Sequence, residues 1–252
     1  MAFEPNRIVG VIPARWGSTR FPGKALALIA GRPLVVRVWE RACQAKRLDA
    51  VVVATDDDRI REAIEAVGGE VAMTRPDHPS GTDRVAEAAR AAGARVVVNI
   101  QGDEPLIDPA LIDAVAGALA EDESWDMATA AAPFGAEEDV TSRDAVKVVR
   151  GKDGQALYFS RAPIPCERDA ATPNPLHFWR HIGIYGYRRD VLDRLVATPP
   201  CELEQLEKLE QLRALYLGCR IRVLETSQAG VGVDTPADVA RAEAALREAG
   251  LT

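Results

Sequence analysis

Three segments of this chain combine residue types that handle phosphate and hard cations. VIPARWGSTRFPGKAL (11–26) follows the apolar run IVGVIP (8–13) and overlaps its end. Gly17, Ser18 and Gly23 free backbone N–H groups, and Arg15, Arg20 and Lys24 add three cations. Backbone donors and cations in one loop after a buried strand suit a triphosphate. The loop carries neither GxxxxGK[ST] nor GxGxxG, so it is not a P-loop or a dinucleotide fingerprint. From the residues alone, a polar turn at Pro22-Gly23 is the competing reading.

NIQGDEP (99–105) closes another apolar run. There Asp103 and Glu104 either hold a hard cation such as Mg2+ or lead into a helix that Asp108 caps. GVGVDTP (230–236) has glycines that let backbone pass close to another group. Its Asp234 is either a ligand or, with Thr235, the cap of a helix beginning at Pro236. Asp103 and Asp234 together make a two-carboxylate magnesium site, because Mg2+ takes one or two carboxylates with phosphates and water. TRPDHPSGTDR (74–84) is polar and turn-rich, with Ser80, Gly81 and Thr82 entering a helix. Its backbone and hydroxyl donors suit a nucleobase edge, or equally a capped surface loop. His78, beside Pro79, gains no catalytic role.

A later stretch, 203–217, has helical spacing. At about 100° per residue from Leu203, Leu206 falls at about 300°, Leu217 at about 320° and Glu210 at about 340°, inside one apolar arc, with Gln211 at about 80°. A carboxylate among leucines needs a partner or a ligand. Arg161 after the strand 156–160, and His181 and Tyr185 within 179–187, are polar groups able to line the same cavity. A histidine in a strand also serves as a satisfied core residue.

These residues need a scaffold, and the apolar pattern supplies one. Strands are predicted at 8–13, 51–55, 70–73 and 95–100, with helices at 33–46, 57–67, 82–92 and 109–120. Strand–helix alternation with unbroken Val/Ile runs predicts a doubly wound, mainly parallel α/β sheet. Strand-like segments at 127–133, 145–149, 156–160 and 179–187 follow with loops between them. They predict antiparallel pairing in a β-rich lobe. Helices return at 189–197, 203–217 and 236–248, with a strand at 220–224. No repeat or linker separates independent domains. The expected organisation is one domain over 1–252: a nucleotide-binding half to about 125, a β-rich dimerisation portion over about 126–235, and a C-terminal helix at 236–248. The segment 145–187 has no covering helix pattern, which points to a two-fold dimer.

With 252 residues, 47% hydrophobic and 27% charged, the composition excludes disordered and collagenous classes. A net charge of −7 argues against a nucleic-acid binder. Residues 1–50 nevertheless hold nine Lys/Arg against three acids, a balance that suits a small polyanion. Among these cations, Arg37, Arg41 and Lys46 read as a solvated helix face. No apolar run reaches membrane-spanning length. MAFEPNR lacks the apolar core of a signal peptide. Four scattered cysteines without CxxC read as reduced thiols of a cytoplasmic protein.

In order and spacing, PARWGSTRFPGKAL, MTRPDHPSGTDR, NIQGDEP, DAVKVV, ALYFSRAPIP, RHIGIYGY, LEQLEKLEQLR and GVDTP resemble the 3-deoxy-manno-octulosonate cytidylyltransferase (CMP-Kdo synthetase) family. The resemblance covers nearly the whole chain, and RHIGIYGY and LEQLR are its most specific blocks. It implies a nucleotide-diphosphosugar transferase fold, a homodimer, and transfer of CMP from CTP to the sugar acid Kdo with Mg2+, serving lipopolysaccharide synthesis. It further implies that Arg15, Arg20 and Lys24 bind the triphosphate, with Ala14 and Gly17 beside them. Thr74, Ser80, Gly81 and Arg84 would form the nucleotide loop. Asp103 and Asp234 would hold the metal and, with Arg15 and Lys24, make up the catalytic set. Gln101, Arg161, His181, Tyr185, Glu210 and Gln211 would meet the sugar acid, and Gln101 the nucleotide as well. The alternatives are a cytidylyltransferase for 8-amino-Kdo or sialic acid, and a non-catalytic nucleotide-binding protein on the same fold. WGSTR in place of a GGSKG-like run disfavours sialic acid, and the presence of Lys24, Asp103 and Asp234 disfavours the non-catalytic reading.

Overall fold

Val/Ile runs without polar alternation become strands covered on both faces, since a side chain on either side must then find apolar neighbours. The computed structural model describes residues 7–17, 21–227 and 230–251. In chain order its elements are β1 (Ile8–Pro13), a short 3-10 turn (Lys24–Leu26), β2 (Leu28–Ile29), β3 (Arg32–Pro33), α1 (Leu34–Ala42), β4 (Ala50–Thr55), α2 (Asp58–Glu65), β5 (Glu70–Met73), α3 (Gly81–Ala91), β6 (Val96–Asn99) and α4 (Pro109–Glu121). They continue with β7 (Met127–Pro133), β8 (Lys147–Arg150), β9 (Ala156–Ser160), β10 (Trp179–Arg188), α5 (Arg189–Ala197), α6 (Glu202–Glu207), α7 (Gln211–Tyr216), β11 (Ile221–Glu225) and α8 (Asp238–Glu248).

The chain divides into two compact units, one of Met1–Gly117 with Gly230–Thr252 and the other of Ala118–Ala229. In the first, strands run in the order β6-β1-β4-β5, every pair parallel. Helices connect successive strands, which is the doubly wound α/β class expected. Val9, Val11, Ile12, Val53, Val97 and Val98 lie at its core with almost no exposed surface. In the second unit β7 pairs antiparallel with β10 and parallel with β11. β8 pairs antiparallel with both β9 and β10, as the loop-linked strands predicted.

Three expectations need correction. The single helix over 203–217 is two short ones, because Lys208 adopts a left-handed conformation at φ 54 and ends α6. Glu210 therefore leaves the apolar arc and is exposed, while Leu203 and Leu206 face solvent. The buried carboxylate is Glu204, held by both nitrogen arms of Arg213 at 2.7 and 2.6 Å. Second, α8 begins at Asp238 and not at Pro236. Third, Arg37 is buried: its guanidinium donates to the carbonyls of Ile29, Ala30 and Leu251. Arg41 likewise donates to the Ile107 carbonyl, which leaves Lys46 as the exposed member of that trio.

Candidate active site

The loop after β1 is pinned at both ends. Ala14 is buried and its N–H donates to the Ala54 carbonyl at 2.9 Å, holding the strand exit beside β4. The Gly23 N–H returns to the Trp16 carbonyl at 3.2 Å. Gly23 sits at φ 71, and an added Cβ would lie 2.9 Å from the Trp16 indole, so both conformation and space require glycine. Trp16 in turn carries the Arg59 guanidinium 3.4 Å from its ring centroid. Ser18 and Arg20, expected at the phosphates, lie outside the described residues, whereas Gly17 is exposed on the loop.

The closed loop delivers Lys24, at the start of the 3-10 turn, to two carboxylates. Its Nζ donates to Asp103 Oδ2 at 2.7 Å and to Asp234 Oδ1 at 3.2 Å. Residues 131 positions apart in sequence thus converge on one ammonium. The Val233 N–H to Asp103 carbonyl bond, 2.9 Å, ties their two loops together. The side chains of Lys24, Asp103 and Asp234 stay 18, 29 and 47% exposed, so a ligand can reach them.

Neither Asp234 nor Thr235 caps α8, whose N-cap is Ala237 without a side-chain bond; Asp238, in the first turn, instead ties down the segment before the helix. Its Oδ2 accepts from Asp234 N at 3.1 Å, Thr235 N at 2.8 Å and Thr235 Oγ1 at 2.9 Å. Hydrogen bonds from Thr235 hold the Asp238 carboxyl below its usual range. The Asp234 carboxylate faces Lys24. Glu104 behaves differently from its neighbour Asp103. Burial, and next the Asp103 charge, push its carboxyl up to about 7. The backbone of Gly230 passes so near that an added Cβ would lie 2.5 Å from the Glu104 carboxylate, which is the close passage expected of that glycine-rich segment.

A cavity of about 330 Å³ opens at these groups. Ala14, Arg15, Lys24, Ser80, Gly81, Arg84, Gln101, Asp103 and Asp234 line it, together with His78. Of the first unit's expected residues, Thr74 stands behind the wall: buried, it donates to the Thr55 carbonyl at 3.0 Å and accepts from Arg84. Arg84 also pairs with Asp56 at 2.9 Å, a brace that sequence reading missed. Ser80 caps α3, accepting from Thr82 N and Asp83 N, and donates its hydroxyl to Asp83 at 2.7 Å. The capped-loop reading of this segment therefore holds alongside its place at the cavity. His78 was also missed; it pairs with Glu87, nine residues on, and no local pattern marks that partner.

In the second unit, β10 carries an irregularity between Ile182 and Tyr185, where pairing with β7 skips two residues. Such bulges re-aim side chains. Thr129 Oγ1 lies 2.8 Å from the Ile184 carbonyl and 2.9 Å from His181 Nε2. The hydroxyl has one proton, and the carbonyl can only accept it. The hydrogen on His181 is thus assigned to Nε2, which leaves Nδ1 an acceptor. Burial takes the imidazole down to about 3, so it is neutral at physiological pH. The rings of Phe159 and Tyr185 flank it at centroid distances of 5.1 and 5.4 Å. Burial first, then Tyr187 and Glu210, raise the Tyr185 phenol well above its usual range. Glu210 is therefore near Tyr185 although exposed. Gln211 is buried, and its Nε2 has no hydrogen-bond partner. Arg161 lies beyond β9, its guanidinium on the carbonyls of Glu207 and Arg143 at 2.7 Å each.

Among the described residues, no three His, Cys, Asp or Glu side chains form a metal-holding group, and no helix is long and apolar enough to cross a membrane. A family model described as Cytidylyltransferase matches residues 9–221. The chain is 51% identical to the 3-deoxy-manno-octulosonate cytidylyltransferase of Geobacter sulfurreducens, over 92% of this chain and 96% of the relative. It is 50% identical to the Myxococcus xanthus protein of the same name, over 97 and 98%. A solved structure of CMP:2-keto-3-deoxy-manno-octonic acid synthetase complexed with CTP superposes with TM-score 0.90 at 42% identity, covering 97% of this chain and all of that one. The chain belongs to the 3-deoxy-manno-octulosonate cytidylyltransferase family.

Proposed function

We infer that this protein transfers CMP from CTP to the anomeric hydroxyl of Kdo, giving CMP-Kdo for lipopolysaccharide synthesis and pyrophosphate. The observation that carries this reading is Lys24 between Asp103 and Asp234 at a cavity lined by further cations. The anomeric oxygen bonds to the α-phosphorus as the bond to the bridging α,β-oxygen breaks in line and the hydroxyl proton leaves. The protein's share is positioning and charge neutralisation. Arg15 and Lys24 suit the leaving pyrophosphate. Arg20 is proposed for the same role from the sequence. Ala14, Gly17, Ser80, Gly81 and Gln101 offer backbone or short polar groups to the nucleotide, with Thr74 and Arg84 bracing that wall. Arg161, His181, Tyr185, Glu210, Gln211 and Gln101 are the groups proposed for the sugar acid.

Asp103 and Asp234 suit Mg2+: they are oxygen donors, part-exposed, and already gathered around a positive charge. With no third protein ligand among the described residues, phosphates and water would complete the shell. When bound, the metal neutralises phosphate charge and lowers the pKa of a coordinated hydroxyl. A two-fold dimer through the second unit is also proposed, supported by the exposure of Leu157, Leu176, Leu206 and Tyr216 there. A single-chain mass by light scattering at micromolar concentration would contradict it. A cytoplasmic location fits the four free cysteines and the nucleotide substrate.

Pyrophosphate release tests the reading. CTP with Kdo should be the best pair, UTP weaker and ATP poor, because a fixed donor pocket leaves polar groups unpaired against a wrong base. Equal rates with ATP and CTP, or a preference for sialic acid over Kdo, would overturn it.

A further inference from the structure

The DAVKVV block contains a lysine with no role in the account so far. Lys147 opens β8 with no exposed surface. Its Nζ donates to three backbone carbonyls, Ser142 at 2.9 Å, Ala145 at 2.6 Å and Arg161 at 2.6 Å. An ammonium has three N–H groups, so all are used, and none meets a carboxylate. A fully buried lysine is costly to desolvate, and an apolar side chain would fill this space at lower cost. What the lysine adds is the joining of two stretches of backbone, 142–145 and the residue after β9.

Both stretches hold Arg161. Its N–H donates to Glu207 Oε2 at 2.9 Å, while Ser160 Oγ holds the other carboxylate oxygen at 2.7 Å. Its guanidinium donates to the carbonyls of Glu207 and Arg143 at 2.7 Å each, and more weakly to Lys208 at 3.5 Å. Arg143 adjoins Ser142, whose carbonyl Lys147 fixes. The left-handed turn at Lys208 ends α6, where terminal helix carbonyls lack partners of their own. The guanidinium thus rests on neutral oxygens alone. It keeps its full charge and spare N–H groups for an anion.

We propose that Lys147 is a positioning residue for the sugar acid, fixing the backbone on which the Arg161 guanidinium is presented to the substrate carboxylate. The proposal rests on the assignment of Arg161 made above. It is tested by measuring both KM values and melting temperature for Lys147→Met, Arg161→Met and the double variant. Lys147→Met should raise the KM for Kdo by about tenfold to about a hundredfold and leave the KM for CTP unchanged. The double variant should be no worse than Arg161→Met, because one residue acts through the other. Lys147→Gln retains a donor and should give a smaller rise, which keeps the test open if the methionine variant does not fold. An unchanged KM for Kdo in Arg161→Met would overturn the site assignment and the proposal with it. A raised KM in Arg161→Met beside an unchanged one in a folded Lys147 variant would overturn the proposal alone. So would a double variant whose losses multiply.

Discussion

Two clusters of charge, one in each unit, are built in opposite ways. In the first, Lys24, Asp103 and Asp234 meet with part of each side chain open. In the second, Lys147 is wholly enclosed, and Glu204 and Arg213 pair with only 9 and 13% of their side chains exposed. An exposed ion pair contributes up to about 1 kcal/mol, so the first arrangement is cheap to rearrange around an incoming polyanion. A buried pair costs about 3–5 kcal/mol to break from one side, so the second holds its geometry regardless of ligand. The charge of the Lys24 cluster is therefore mobile in role, whereas Lys147 and the Glu204–Arg213 pair serve as scaffold.

The largest expected effect is on turnover. Lys24→Met should lower kcat by about 10²–10³-fold, the loss typical of one group stabilising developing charge. Its melting temperature should hardly move, since the trio is part-exposed. A large fall in stability would place Lys24 with the scaffold charges. Next comes Glu204→Ala, which takes the carboxylate from the buried Arg213 charge and leaves it neutral carbonyls such as those of Leu195 and Thr198; it should cost about 3–5 kcal/mol in urea unfolding. A cost below about 1 kcal/mol would put this pair with the exposed ones and erase the contrast.

The third prediction concerns pH. His181 stays neutral in the folded protein down to about 3, whereas an unfolded chain protonates it near its ordinary value of about 6.5. Between these values the unfolded state binds the extra proton. Stability is therefore full above about pH 6.5 and declines as pH falls toward 3. Relative to wild type, His181→Phe should show a shallower acid decline. An identical pH profile would mean that the buried imidazole protonates in place. The smallest effect is at the start of α8: Asp238→Ala removes its hydrogen bonds with Asp234 and Thr235 and should cost about 1 kcal/mol. A neutral result would mean that Asp238 does not hold the turn that carries Asp234.

Much of this arrangement is legible in the chain. β1, β5, β7, β9 and α5 occupy their expected residues, because unbroken apolar runs or helical spacing end there at turn residues. The loops after β1 and β6 were recognisable as ligand-edge loops from the strands before them. The break at Lys208 was not, since neither glycine nor asparagine marks it. Its structural counterpart is Arg161, some 47 positions earlier, which takes the freed carbonyls. Arg37 was misread for a similar reason: an arginine on an amphipathic helix is normally solvated, and its three carbonyl acceptors lie in other elements. The hold of Asp238 on Asp234 and Thr235 is hidden because an acid in a first helical turn looks ordinary.

The central claim is that Asp103 and Asp234 act as one site with Lys24. It is tested most directly by turnover and melting temperature of Asp103→Asn, Asp234→Asn and the double variant at saturating Mg2+. Each single change should lower turnover by orders of magnitude while leaving the fold intact, and the double should be little worse than either, as groups acting together are not additive. An Asp234→Asn variant that keeps most of its activity but melts earlier would make Asp234 a helix cap after all, and would leave Asp103 without its partner.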